Sequence, residues 1–207
     1  MIHSEAQLRQ LYAAPAERAL RKQLRALDAH CQRFIQLAPF CVLATGGAAG
    51  AYMDASPRGG KPGFVRVVDA HTLWMPDASG NNRLDTLCNL VHDPRIGLLF
   101  MIPGVLETLR VNGTAQLRDE AAFTEAFATA TFTPKLVIEV QVHEAYLHCA
   151  KSLMRSKLWE AEQQVKREVL PSMNAMIHDQ IGAPAPQESQ HAMLARFAEQ
   201  LAREQGK

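Results

Sequence analysis

The 207-residue sequence has no apolar run approaching membrane-span length, no excess of either charge and no closely spaced cysteine pair. The first absence excludes a helical membrane protein. The N-terminal MIHSEAQLRQLY also lacks the apolar stretch of an export signal, so a cytoplasmic location is expected. With 22 basic against 21 acidic residues, no net field draws nucleic acid or an anionic membrane, and neither is expected as a partner. Cys31, Cys41, Cys88 and Cys149 form no CxxC. Without an export signal, the expectation is reduced, buried thiols.

The familiar catalytic signatures are missing too. There is no GxSxG, no P-loop GK[ST] and no GxGxxG. HEAYLHC (143–149) holds three metal-ligating residue types but is not HExxH. On a strand it would turn His143 and Cys149 to one side and His148 to the other, so no metal site is expected. A chain without conspicuous catalytic side chains can leave the chemistry to a cofactor and supply only a binding surface.

What the sequence does contain is an ordered succession of short elements. Residues 4–37 read as a short helix and then a longer one starting near Pro15, with Leu20, Leu24, Leu27, Cys31 and Phe34 on one stripe. From Pro39 the pattern changes to short apolar or alternating runs: FCVLAT (40–45), AYMDAS (51–56), GFVRVV (63–68), TLWM (72–75), IGLLFMI (96–102), ETLRVNGTAQLR (107–118), KLVIEVQV (135–142) and AYLHCA (145–150). GGAAG, PRGGKPG and DAH supply turn chemistry between the first of them. A helix from about Asn81 to His92 interrupts the series, and a short one is expected near 119–129. About seven strands at hairpin spacing predict a mainly antiparallel barrel flanked by N- and C-terminal helices. The implied organisation is a helical extension over 1–37, a barrel domain over 38–160 and a second helical extension over 161–207. That second extension has a GAPAP linker (182–186) and a last helix with Met193, Leu194, Phe197 and Leu201 on a narrow apolar stripe.

Two stretches have the chemistry to hold an anion. In SPRGGKPGFV (56–65), Arg58 and Lys61 sit in a Gly/Pro-rich connection where backbone can approach a ligand closely; taken alone, a surface hairpin with a solubilising charge pair is the favoured reading. In PDASGNNRLDTL (76–87), a helix start near Asn81 would present free N–H groups. Asn81 or Asn82 would cap it, and Arg83 would add a forked cation. The residues alone leave this level with an ordinary capped helix whose Arg83 pairs with Asp77 or Asp85.

Taken in order, TLWMP, SGNNRLDTLCNLVHDPRIGLLF and ETLRVNGTAQL resemble the pyridoxamine 5'-phosphate oxidase-type, FMN-binding split-barrel superfamily. DASPRGG, GFV, PDASGNNRLDTL, HDPRIGLLFMIPG, ETLRVNG and LHCAKSLMRSKLW resemble more narrowly a subgroup of FMN-dependent members, over roughly residues 38–160. The resemblance implies a split β-barrel homodimer with FMN near the interface and hydride transfer through flavin N5 to or from a small-molecule substrate. By position it assigns Met75 and Pro76 to the flavin ring and Asn81, Asn82 and Arg83 to the phosphate. Arg58, or else Lys61 or Arg66, would be a further cation, Phe64 and Val65 would flank it, and Thr108 would stand toward the ring. The chain departs from pyridoxamine 5'-phosphate oxidases in its last motif. LHCAKSLMRSKLW stands where they carry a Trp and an Arg-Leu-His-Asp-Arg run, so Lys151, Arg155 and Trp159 would take analogous roles or be surface residues. No acid or base is singled out; Tyr52, His148 or water would serve. The alternative on the same fold is a non-catalytic protein holding flavin, deazaflavin or haem.

Overall fold

The structure, a computed structural model, describes residues 1–48, 51–182 and 188–206. Its centre is the antiparallel sheet that the alternating runs predict. The strands are β1 (Phe40–Gly46), β2 (Met53–Gly59), β3 (Arg66–Val67), β4 (Thr72–Pro76), β5 (Arg95–Met101), β6 (Thr108–Arg118) and β7 (Val137–His148). They lie in the order β2-β1-β5-β6-β7-β4-β3. The α-helices among the described residues are α1 (Glu5–Leu11), α2 (Glu17–Arg21), α3 (Ala29–Leu37), α4 (Asp85–His92), α5 (Ala121–Thr124), α6 (Lys151–Ser156), α7 (Met173–Ile181) and α8 (Gln190–Glu204). Among these residues no helix is long and apolar enough to cross a membrane.

The chain divides into two compact units. One comprises Met1–Met75, Leu84–Gln116 and Glu139–Ala150; the other comprises Pro76–Arg83, Leu117–Ile138 and Lys151–Lys207. The core of the first follows from period-two alternation. Cys41, Leu43 and Thr45 of β1, Ile96, Leu98 and Phe100 of β5, and Leu109, Val111 and Ala115 of β6 are all buried. Register brings the layers together, with Cys41 opposite Phe100 and Leu98 opposite Val111. In β7 the buried positions run Val140, Val142 and then Ala145, so the inward phase slips by one residue at His143–Glu144.

In the second unit, the Arg118 guanidinium lies 4.1 Å over the Phe123 ring and pairs with Glu120. The end of α8 is tied to a turn by hydroxyls, Thr129 Oγ1 donating to Glu204 O (3.3 Å) and Thr131 Oγ1 to Arg203 O. On α8, Met193 is buried, whereas Leu194, Phe197 and Leu201 are exposed.

Several elements differ from the sequence reading. The long N-terminal helix breaks: α2 ends at Arg21, and Leu24 forms an antiparallel bridge with Ala145 in both directions (N···O 2.9 Å each). That long-range backbone pairing takes Leu20 off the expected stripe, leaving it exposed, while Leu27 and Cys31 stay buried and Ile35, rather than the expected Phe34, is the buried residue in the next turn. Asp28 then starts α3 afresh, its Oδ1 accepting from Cys31 N at 2.8 Å. Strand β2 takes in Ser56-Pro57-Arg58-Gly59, which the sequence reads as a connection; Pro57 is tolerated because β2 is an edge strand. GFVRVV contributes only the two-residue β3. KLVIEVQV and AYLHCA form one strand, β7, rather than two. The 119–129 helix is the single turn α5 followed by a 3-10 turn, Glu125–Phe127. Cys31 and Cys41 are buried as expected, but Cys88 and Cys149 are exposed. Residues 49–50 of GGAAG and 183–186 of GAPAP lie outside the described residues.

Asp28→Ala is expected to destabilise the fold by about 1 kcal/mol, read by urea denaturation. The Cys31 N–H that the carboxylate accepts lowers its pKa from the ordinary carboxylate value. Its contribution is therefore fully present above that value, about 3.9, and is lost as pH falls through the lower folded one. The gap between wild type and variant should narrow in acid.

Candidate functional site

The loop between β4 and α4 has an unusual backbone. Asn82 (φ 60°) and Leu84 (φ 58°) are both left-handed, and Arg83 stands between them. Asn81 Oδ1 accepts from Arg83 N at 3.1 Å, an Asx turn that uses up the side chain expected to cap a helix. The helix accordingly starts at Asp85, four residues later than the sequence reading. Its N-cap is Leu84, without a side-chain cap, and the Asp85 carboxylate already faces its positive end. The expected side-chain cap of this helix is therefore not formed, and Arg83 lies in the loop ahead of the helix rather than within its first turn. Left-handed non-glycine residues cost about 1–3 kcal/mol each and concentrate at ligand clamps and active sites.

The other expected residues are spread over the sheet. Arg58 lies on β2 at one edge, opposite Cys41, with Nη1 donating to Pro57 O at 3.1 Å. Burial pushes the Cys41 thiol up to about 12, which the Arg58 charge only partly opposes. Phe64, Val65 and Arg66 lie at or just before β3, at the other edge, where Arg66 pairs in register with Trp74. Arg58 and Arg66 thus stand on the first and last strands of the sheet order, joined by the turn over residues 60–65. Lys61 is exposed in the turn before β3, whose Gly63 has φ 83°. Val65, Met75 and Thr108 are buried as whole residues. Asn81, Asn82 and Arg83 are exposed, Pro76 is half-buried, Lys151 and Arg155 are exposed on α6, and Trp159 is half-buried beyond it.

A polar seam absent from the sequence reading docks α4 on the first hairpin. Thr86 Oγ1 (3.0 Å) and Ser56 Oγ (2.7 Å) both donate to Asp54 Oδ2, and Asn89 Nδ2 donates to Thr45 Oγ1 at 3.0 Å. Asp54, Ser56 and Arg58 alternate along β2, a period visible in DASPR once that stretch is taken as strand. A second unforeseen feature is an open cleft of about 410 Å³ lined by Leu20, Gln23, Leu24, Arg25, His143 and Glu144, which exists only because the N-terminal helix breaks. Of the acid–base candidates, Tyr52 is fully exposed, and His148 has its Nε2 buried without a hydrogen-bond partner among the described residues. His143 and Cys149 join no group of three or more His, Cys, Asp or Glu able to hold a metal among the described residues.

A family model described as pyridoxamine 5'-phosphate oxidase matches residues 27–149, more than half of the chain. The chain belongs to the pyridoxamine 5'-phosphate oxidase family. The match runs from Leu27, just before α3, to the end of β7 and includes every strand. Solved structures similar to this family member include a putative pyridoxamine 5'-phosphate oxidase from Lactobacillus delbrueckii (18% identity, 60% of this chain and 98% of that one, TM-score 0.48). HupZ of Group A Streptococcus is similar at 21% identity (57% and 90%, TM-score 0.46). The FAD binding protein of Mycobacterium smegmatis is similar at 17% identity (60% and 97%, TM-score 0.41). No curated protein matches the chain. The fold of the family, a split barrel built on an antiparallel sheet with flanking helices, is the one the sequence motifs imply.

Proposed function

We propose that this chain is an FMN-binding flavoprotein and an FMN-dependent oxidoreductase. The observation that carries the reading is Arg83 held between two left-handed residues in the loop after β4, in a chain of the pyridoxamine 5'-phosphate oxidase family. Strain of this kind is retained where a loop must hold one shape, and a planar guanidinium suits a phosphate. The residues fit the phosphate end of FMN. Arg83 supplies the charge, exposed Asn82 a side-chain amide, and Asn81 the turn that fixes the Arg83 main chain. Met75, a buried residue, belongs to the proposal on the resemblance alone. Arg58, Phe64, Val65, Arg66, Pro76 and Thr108 belong to the proposal on the resemblance. Lys61, Lys151, Arg155 and Trp159 are assigned roles only if FMN binding responds to their substitution. A homodimer with FMN near its interface, a small-molecule substrate and a cytoplasmic location are part of the same reading.

Bound FMN supplies hydride transfer at N5; the chain's own residues bind and orient it and limit water around it. Protein purified without added cofactor should show a flavin absorption spectrum, and heat should release FMN identifiable by mass. A colourless protein that takes up no FMN overturns the proposal. Flavin that neither NAD(P)H nor a substrate panel reduces restricts the function to binding.

A further inference from the structure

We propose that Lys22, Arg110 and Tyr146 form a binding subsite for a phosphate monoester, separate from the loop that carries Arg83. The inference does not rest on flavin binding. The Leu24–Ala145 bridge holds the segment after α2 against β7, which brings Lys22 to the strand. Lys22 Nζ donates to Leu147 O at 2.7 Å and lies 5.7 Å from the centre of the Tyr146 ring. Arg110, on β6, approaches the same ring at 5.5 Å and donates through Nη1 to the Tyr146 hydroxyl at 2.9 Å. A phenol that accepts from Arg110 keeps its own proton to donate outward.

Two cations therefore converge on one aromatic ring, and among the described residues neither has a carboxylate within ion-pair distance. Glu144, two residues along β7, accepts instead from Asn112 Nδ2 at 3.1 Å, and His143 Nε2 stands 3.5 Å from Thr114 Oγ1. Cation–π contact offsets only part of the mutual repulsion at an exposed site. A ligand group of charge near −2 would balance the pair, and a phosphate monoester carries that charge near neutral pH. Arg110 has donors left for its oxygens, as do Lys22 and the Tyr146 hydroxyl.

A second observation registers the same field. The His148 ring lies 5.2 Å from that of Tyr146, and its buried Nε2 has no hydrogen-bond partner among the described residues. Its pKa is lowered first by burial and then by Arg110 and Lys22. An anion on the two cations would remove the part they cause, making His148 a reporter that does not itself need to touch the ligand.

The test is an NMR titration of the full-length protein carrying Arg83→Ala, with inorganic phosphate as probe and chloride at matched ionic strength as control. The His148 ring signals should shift saturably with phosphate, and the imidazole should titrate at higher pH when phosphate is bound. Lys22→Gln with Arg110→Gln should weaken phosphate binding by roughly tenfold or more in protein shown by its NMR spectrum to be folded. Lys22→Gln alone gives a milder loss should the double variant misfold. Saturating FMN in the chain with Arg83 intact should leave the phosphate response in place. The proposal is overturned by an equal response to chloride, by binding that survives the double substitution, or by displacement of phosphate by FMN. The last outcome would make the cluster part of the flavin site.

Discussion

Gly113→Ala should destabilise the protein by about 3 kcal/mol or more, at or above the upper end for overpacked interiors. Gly113 lies on the inward face of β6, in the run Leu109, Val111, Gly113, Ala115. A Cβ there would stand 2.0 Å from Gln141 O and 3.0 Å from Gln141 C, both main-chain atoms of β7. No rotamer change can relieve such a contact, so the two strands would have to separate. The glycine of ETLRVNG is thereby explained as a point of close backbone approach. The substitution should also disturb the Arg110–Tyr146 and Asn112–Glu144 contacts between the same strands. Urea denaturation measures the effect, and a loss below about 1 kcal/mol would contradict the close approach.

Arg83→Ala should weaken FMN binding by about 1.5–3 kcal/mol, the range of a hydrogen bond to a charged group. Arg83 is exposed and lies in a loop, not in the core, so the variant should fold with near-wild-type stability. Arg83→Lys should recover only part of the affinity, since an ammonium keeps the charge but not the fork. Fluorescence titration of the cofactor-free protein reads both. Unchanged affinity in the alanine variant would return Arg83 to the role of a surface cation.

The strands were legible where one face is buried. In β6 the apolar alternation follows the burial at Leu109, Val111 and Ala115, whereas the near-continuous apolar runs of β1 and β5 mark a strand without marking its inner face; the expected boundaries of all three hold to within one or two positions. The helical region before Pro39 was misread because periodicity continues through Leu24 and Leu27, whereas the backbone there pairs with Ala145, more than a hundred residues away. The start of α4 was hidden for a local reason. Asn82 and Leu84 take left-handed conformations that no hydrophobic pattern signals, and Asn81 turns its side chain to Arg83 N rather than to a helix cap. Composition singled out PDASGNNRLDTL (76–87) as a candidate anion-holding stretch, and the structure places its Arg83 in an exposed loop. The Lys22–Arg110–Tyr146 cluster was out of reach, since it joins three distant chain segments through a bridge the sequence does not announce.

Comparison of FMN and riboflavin binding to the cofactor-free protein addresses the phosphate clamp most directly, because the two ligands share the ring and ribityl chain and differ only in the phosphate. If the loop carrying Arg83 holds that group, FMN should bind roughly 10–150-fold more tightly than riboflavin. Arg83→Ala should remove most of that margin while leaving riboflavin binding unchanged. Equal affinity for FMN and riboflavin in the wild-type chain would contradict the account.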